Sequence, residues 1–339
     1  MSDFGPVDVQ EIRVTERQSF RSCKRAWYWG KFWKSRTPHI EAWFGTGMHH
    51  ALETWYQERK KGNDPLKPAQ AAFHAWFIRT VPEIESGYRM MWGLMESQIQ
   101  EKLELGLGML ENYRSFDQIA SPEWEVVSTE ENYSTKIPKT RGRLAGRIDL
   151  IIRQPDGSIW VIDHKTRGTQ PDSRNLDLDD QLTGYAYLVW KTLKVIPGNI
   201  IFNTLIRVQP SPPRQLSSGK FSVDRSQGTT LELFLQTIRE AGQSEEDYAP
   251  FIAYLTDQGY RPFFNRIGQY RTREELESFE ERLFWEYKTM REVGRNPLSA
   301  VPEPNQFCSR CEFLAPCLMK ERGDDWISYL DSNLDRVVS

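Results

Sequence analysis

Apolar positions recur at two different periods along the chain, and the changeover falls near Trp124. Before it, spacings of three and four predict helices. Thr15-x-x-Gln18 has the form of a capping box and opens a helix expected to run through Cys23 to about Trp29. A second helix is expected from near Gly47 to the stop signal Gly62-Asn63-Asp64-Pro65, with two more over 68–80 and about 85–116, on either side of Pro82. After Trp124, four segments rich in Val, Ile, Tyr and Trp read as strands: 124–137, 143–153, 158–165 and 199–208. Residues 179–193 return to helical spacing, with Leu182, Tyr185, Ala186, Val189 and Leu193 on one side. A proline-rich excursion over 209–228 reads as a loop or lid, followed by a helix over 230–241 and a strand over 263–272. The helix 274–293 carries an apolar stripe of Leu276, Phe279, Leu283, Tyr287 and Met290, which is core packing and not a cofactor surface. This organisation predicts a helical lobe over 1–120, a mixed core over 121–295 with its insert at 209–228, and a C-terminal segment over 296–339.

The segment GRIDLIIRQPDGSIWVIDHKT folds back on itself at Gln154-Pro155-Asp156-Gly157. Proline suits the second position of a type I turn, and Gly157 suits the left-handed position that closes a three-residue loop. Centring the loop on Asp156 puts Asp149 opposite Asp163, so the two carboxylates share one face of the sheet. Lys165, two residues further on, shares it as well. A two-residue Asp-Gly turn would instead send the aspartates to opposite faces.

Two carboxylates and an ammonium on one face suit phosphodiester cleavage. The carboxylates can hold Mg²⁺ or Mn²⁺ with open water positions, and the ion then generates the nucleophile. Lys165 can orient that water or stabilise developing charge. The pattern D-x13-D-x-K is common by chance, so on its own it is also compatible with a solvated surface hairpin.

Charge and cysteine content narrow the class. The net charge is −3, yet Glu11–Arg36 carries eight basic residues against two acids, with six aromatics interleaved, and Lys136–Arg153 carries six basic residues against Asp149 alone. Such a mixture suits a phosphate track with stacking platforms, or a solvated basic face beside core aromatics. No apolar run approaches the ~18 residues of a membrane helix, and the N-terminal residues lack the pattern of a signal peptide, which leads to the expectation of a cytoplasmic protein. No phosphate-binding G-x-x-x-x-G-K-[ST] loop is present, so a helicase or recombination protein would have to be a separate partner. The four cysteines are Cys23 and the cluster Cys308-x2-Cys311-x5-Cys317. In a reducing compartment they read as metal ligands, and four thiolates suit either zinc or an iron–sulfur cluster.

GRID followed by VIDHKT resembles the PD-(D/E)XK nucleases, in particular their RecB-like branch. Gly45-Thr46-Gly47-Met48-His49 resembles the G-x-x-x-H motif of that branch, and Gln181-x-x-x-Tyr185 its Q-x-x-x-Y helix. The resemblance implies that His49, Asp149 and Asp163 are metal ligands, with the His164 carbonyl as a fourth. It further implies that Lys165 is catalytic and that Gln181 and Tyr185 support it or the DNA phosphate. Glu131 stands near a place where relatives often carry an acid. One N-terminal cysteine and three C-terminal ones bracketing such a core are similar to the iron–sulfur subgroup, which includes AddB-type and CRISPR-associated exonucleases and phage-encoded relatives. That implies a 4Fe–4S cluster on Cys23, Cys308, Cys311 and Cys317. The fold implied is α/β and restriction-endonuclease-like: a central mixed sheet with flanking helices, an N-terminal helical lobe and an iron–sulfur clasp joining the termini. The activity implied is metal-dependent DNA hydrolysis, exonucleolytic, on single-stranded DNA or duplex ends, in recombination, repair or replication. A catalytically idle DNA-binding scaffold, a zinc-stapled structural protein and an RNA nuclease are the competing readings.

Overall fold

The computed structural model describes residues 5–36, 40–91, 96–172, 174 and 176–337. The chain enters through a short strand, β1 (Glu11–Arg13), and two helices, α1 (Val14–Ser22) and α2 (Lys24–Trp29). The expected single helix is broken because Cys23 is extended, at φ −165° and ψ 117°. Nor is the cap at Thr15: Arg13 holds the N-cap position, and its backbone N–H donates to Glu16. After β2 (Trp33–Ser35), α3 (Ile40–Lys60) begins before the glycines that delayed its expected start, because Trp43, Phe44 and Met48 are buried on its inner face. Two further helices, α4 (Leu66–Met91) and α5 (Glu96–Ala120), complete the lobe, and α4 continues past Pro82.

Three long strands follow: β3 (Glu125–Lys136), β4 (Arg143–Arg153) and β5 (Ile159–Arg167). The β4–β5 turn has the three-residue loop that its residues call for. Arg153 pairs with Ile159, the Gln154 N–H donates to Ser158 at 2.9 Å, and Gly157 sits at φ +83°. Helix α6 (Asp180–Leu193) leads to β6 (Asn199–Ile206), which pairs parallel to β5 as a crossover connection requires. The remaining elements are α7 (Leu231–Glu240), α8 (Ala249–Gln258), β7 (Phe264–Gln269), α9 (Arg273–Arg295), α10 (Leu314–Arg322), α11 (Trp326–Asn333) and β8 (Leu334–Arg336).

The central sheet is six-stranded and mixed. One edge of β4 is taken along its length by antiparallel β3. The other edge is divided: β5 pairs with Leu150–Arg153, and β1 pairs with Arg143–Ala145. Residues 146–149 therefore face a fork between β5 and β1. On one side of the sheet, α6 and α9 cover Ile148, Ile151 and Val161, and all five residues of the α9 stripe are buried there. Helix α6 is buried on nearly all sides, including Thr183, Gly184 and Tyr187, whereas Leu193 is 40 % exposed at its end. On the other side, α3, α4 and α5 cover Leu150, Ile152, Ile162 and Ile201. The excursion after β6 builds a third, separate core from Phe221, Phe234, Ile238, Tyr248, Phe251 and Leu255.

The N-terminal basic and aromatic residues are structural. Phe20, Trp27, Tyr28, Trp29 and Trp33 are buried, and Phe32 is packed against the same core. Arg17 binds Asp180 and Glu286 at 2.6 Å each, Arg21 binds Glu286, Lys24 binds Glu303, Arg25 binds Glu321 and Arg36 binds Asp335. Lys31 pairs with Glu16. The aromatics are thus core, as the second of the two readings has it, and the basic residues form a clasp in which cations near the start of the chain meet acids near its end. Strand β2 pairs with β8 in the same region, through Trp33–Arg336, Lys34–Asp335 and Ser35–Leu334. Among the described residues no helix is long and apolar enough to cross a membrane.

Candidate active site

The β4–β5 hairpin converges two carboxylates because its register is odd-to-odd, and the fork then makes room around them. Pairing ends at Leu150–Ile162. One residue further on, Asp149 fills the gap, and its Oδ2 accepts the backbone N–H of His164 at 2.7 Å. Helix α3 brings His49 over the fork, with Nδ1 at 3.5 Å from Asp149 Oδ2 and 3.3 Å from Glu130 Oε1. One ligand atom each of His49, Glu130 and Asp149 lies within 4.8 Å of the others, close enough to hold a single metal ion. His49 and Glu130 open onto a cleft of about 400 Å³, also lined by Gly45, Arg147 and Lys165.

Glu130 was not foreseen. The acid noticed in the sequence, Glu131, is exposed and accepts a hydrogen bond from the Tyr133 hydroxyl at 3.0 Å. Its neighbour Glu130 takes φ +47°, a left-handed conformation costing roughly 1–2 kcal/mol for a residue with a full side chain. That turn of the backbone, three residues after an irregularity in the β3–β4 register, brings the Glu130 carboxylate to the cluster. Strain of this kind gathers at functional sites.

Asp163 is 1 % exposed. Its Oδ1 accepts from Lys165 Nζ at 2.8 Å and from Gln181 Nε2 at 3.4 Å. Its Oδ2 is buried and has no hydrogen-bond partner among the described residues. Leaving a carboxylate oxygen bare in the interior is costly, and a cation there would satisfy it. Gln181 also donates to the Tyr185 hydroxyl at 2.9 Å, so the i, i+4 pair on α6 braces Asp163, which in turn holds Lys165. His164 points its ring to the opposite side of the sheet, stacked on Tyr56 at 5.5 Å and hydrogen-bonded to Asn203 through Nδ1 at 2.8 Å.

The electrostatics are those of a site short of positive charge. Burial pushes the Asp149 carboxyl up to about 7, and Asp163 adds to the rise while His49 opposes it. Burial also raises Asp163, against the opposing pull of Lys165. Burial acts to lower His49, but the carboxylates of Asp149 and Glu130 outweigh it and favour its protonated form. Lys165 is likewise desolvated, yet Asp163 and Asp149 hold its proton more firmly than usual. The Tyr185 phenol is raised by burial and keeps its proton. Burial drives the His164 imidazole well down, so it is neutral.

The four cysteines meet on the clasp. Cys23 lies at the break between α1 and α2, Cys308 in a single helical turn (Cys308–Arg310) and Cys317 in α10. Burial raises the Cys311 thiol, and nearby Cys23 and Cys308 raise it further. Three sulfurs accept N–H donors: Cys23 from Ala26 at 3.5 Å, Cys308 from Asn305 at 3.4 Å and Cys317 from Arg25 at 3.3 Å. Among the described residues no three of these sulfurs lie within 4.8 Å of one another, so they do not form a ligand group for a single ion.

A carboxylate–histidine cluster with a lysine at its edge, set in the fork of a mixed sheet, could hold a divalent ion and suits metal-dependent hydrolysis. The family model for the PD-(D/E)XK nuclease superfamily matches residues 13–318, and the chain belongs to that superfamily. Among solved structures, one described as "Crystal structure of SSO0001" is similar at 12% identity and a TM-score of 0.30, over 91% of this chain and 86% of that one. No curated protein matches.

Proposed function

We propose that the chain is a Mg²⁺- or Mn²⁺-dependent DNA exonuclease of the RecB-like, iron–sulfur branch, acting on single-stranded DNA or frayed duplex ends. The observation that carries the proposal is the fork itself, where His49, Glu130 and Asp149 converge and Asp163 is near enough to act on Asp149. His49, Glu130, Asp149 and Asp163 would hold the ion, with the His164 carbonyl completing the set. Once bound, the ion supplies a more acidic water and a polarised phosphate. Lys165 keeps its proton and places a positive charge where the phosphate gains negative charge. Gln181 and Tyr185 fix Asp163, and through it the ammonium of Lys165, so the charge is in place before substrate arrives.

For the cysteines we propose a 4Fe–4S cluster on Cys23, Cys308, Cys311 and Cys317. A tetrahedral zinc with bonds of about 2.3 Å would need its sulfurs roughly 3.8 Å apart. What supports the cluster is that Cys23 and Cys308 act electrostatically on Cys311 across the clasp, together with N–H···S bonds to Cys308 and Cys317 that suit thiolate ligands.

The test uses anaerobically purified protein and end-labelled single- and double-stranded DNA, with Mn²⁺, Mg²⁺ or chelator. Cleavage is expected only with the ion, releasing products from an end. Lys165→Ala should abolish cleavage while Mn²⁺ uptake persists, whereas Asp163→Ala should lose both. A Lys165→Ala protein that cleaves as fast as the parent overturns the assignment.

A further inference from the structure

We propose that Arg147 is a stand-in that competes with the metal ion for Glu130 and, when the ion is bound, the residue that positions the substrate phosphate. The inference rests on the metal site proposed above. Arg147 lies at the fork on β4, with Nε 2.6 Å from Glu130 Oε2 and Nη2 3.8 Å from Glu53 Oε2. Its side chain is 51% exposed and lines the cleft, while that of Glu130 is 7% exposed. The other Glu130 oxygen faces His49 at 3.3 Å. A buried carboxylate needs a counter-charge, and both of its oxygens are served by cationic or protonatable groups.

Loading the site changes that balance. Glu130 then has a divalent charge beside it, and a guanidinium within a few ångströms of the same centre is repelled. The Arg147 bond to Glu130 weakens, but the residue stays anchored in a paired strand at the cleft wall. Glu53 keeps the guanidinium from swinging out into solvent. Its planar fork is then the free positive group beside the ion, and a phosphodiester is the anion whose geometry it matches. Arg147 would thus release its hold on the ligand and take up the substrate in one rearrangement, without crossing the cleft.

The two halves predict effects of opposite sign. Mn²⁺ binding to the whole chain without DNA, followed by the electron spin resonance of the free ion, should be about fivefold tighter in Arg147→Gln, since a competing cation is gone. Arg147→Lys keeps the charge and should bind Mn²⁺ as the parent does. In turnover at saturating Mn²⁺, Arg147→Gln should raise the KM for a single-stranded oligonucleotide about tenfold, with a smaller change in kcat, and Arg147→Lys should recover part of the loss. A residue that only supports the fold would not tighten metal binding while weakening DNA binding. Equal or weaker Mn²⁺ binding by Arg147→Gln, beside a parent that binds, overturns the stand-in role. An unchanged KM overturns the phosphate role. A parent that takes up no Mn²⁺ overturns the metal site and this inference together.

Discussion

Gly45 shows how a residue can be shaped by what is not in the protein. It lies in α3 beside His49 and lines the cleft, yet a methyl group added there would meet no atom within 4 Å. Packing does not demand glycine, and glycine inside a helix costs roughly 1 kcal/mol relative to alanine. On the proposed function, that open space at the cleft would admit the substrate. Gly45→Ala should raise stability to urea by about 1 kcal/mol, while Gly45→Leu should fold normally and raise the KM for DNA about tenfold. Unfolding curves and steady-state kinetics check the two effects separately. The pair Glu130 and Glu131 shows why single residues are hard to assign from sequence. Strand alternation predicts which of two neighbours faces the cleft only while the backbone stays regular, and φ +47° at Glu130 resets it.

The elements that could be read from the sequence are those whose signals are local. The β4–β5 turn is specified by Pro155 and Gly157, and that alone brings Asp149, Asp163 and Lys165 to one place. The apolar stripe of α9 needs only its own spacing. Elements that depend on distant partners could not be read: β1 has three residues and exists because β4 has an edge to share. How the helical lobe is fastened to the sheet was equally hidden. Asp117 on α5, 2 % exposed, binds Arg59 from α3 at 2.8 Å and Arg266 from β7 at 2.7 Å, and accepts from Trp55 and Tyr56 at 2.9 Å each. Burial acts to raise this carboxyl, but Arg266 and Arg59 together hold it below its ordinary value. A group depressed in the folded state stabilises fully above its unfolded pKa of about 3.9, and that contribution is lost as pH falls through the lower folded value. Tryptophan fluorescence should therefore report loosening of the lobe below about pH 4. Asp117→Asn should remove that acid step and cost about 3 kcal/mol at neutral pH, because it leaves Arg266 buried without its anion.

Two ends of one chain share a single structure here, with the cysteines at its centre. Protein isolated without oxygen is expected to contain iron and inorganic sulfide in equal amounts, and Cys→Ser at any of the four positions to lower stability more than it changes the chemistry at the fork. Stoichiometric zinc without iron, after iron-replete anaerobic expression, would overturn the cluster and leave the nuclease assignment intact. The clasp also sets a clock on synthesis. Trp33–Ser35 pairs with Leu334–Arg336, and Arg17 finds its counter-ion at Glu286. At roughly 5–20 residues per second, a ribosome needs on the order of 15–60 s to get from Trp33–Ser35 to its partner strand. A chain that stops before residue 286 would carry every proposed site residue up to Tyr185 and still lack Glu286 and the β8 partner of β2. On the proposed function, a chain cut before residue 286 should cleave DNA far more slowly than the whole chain, which end-labelled DNA would show, because the strap is what joins the first helices to the sheet that carries the site.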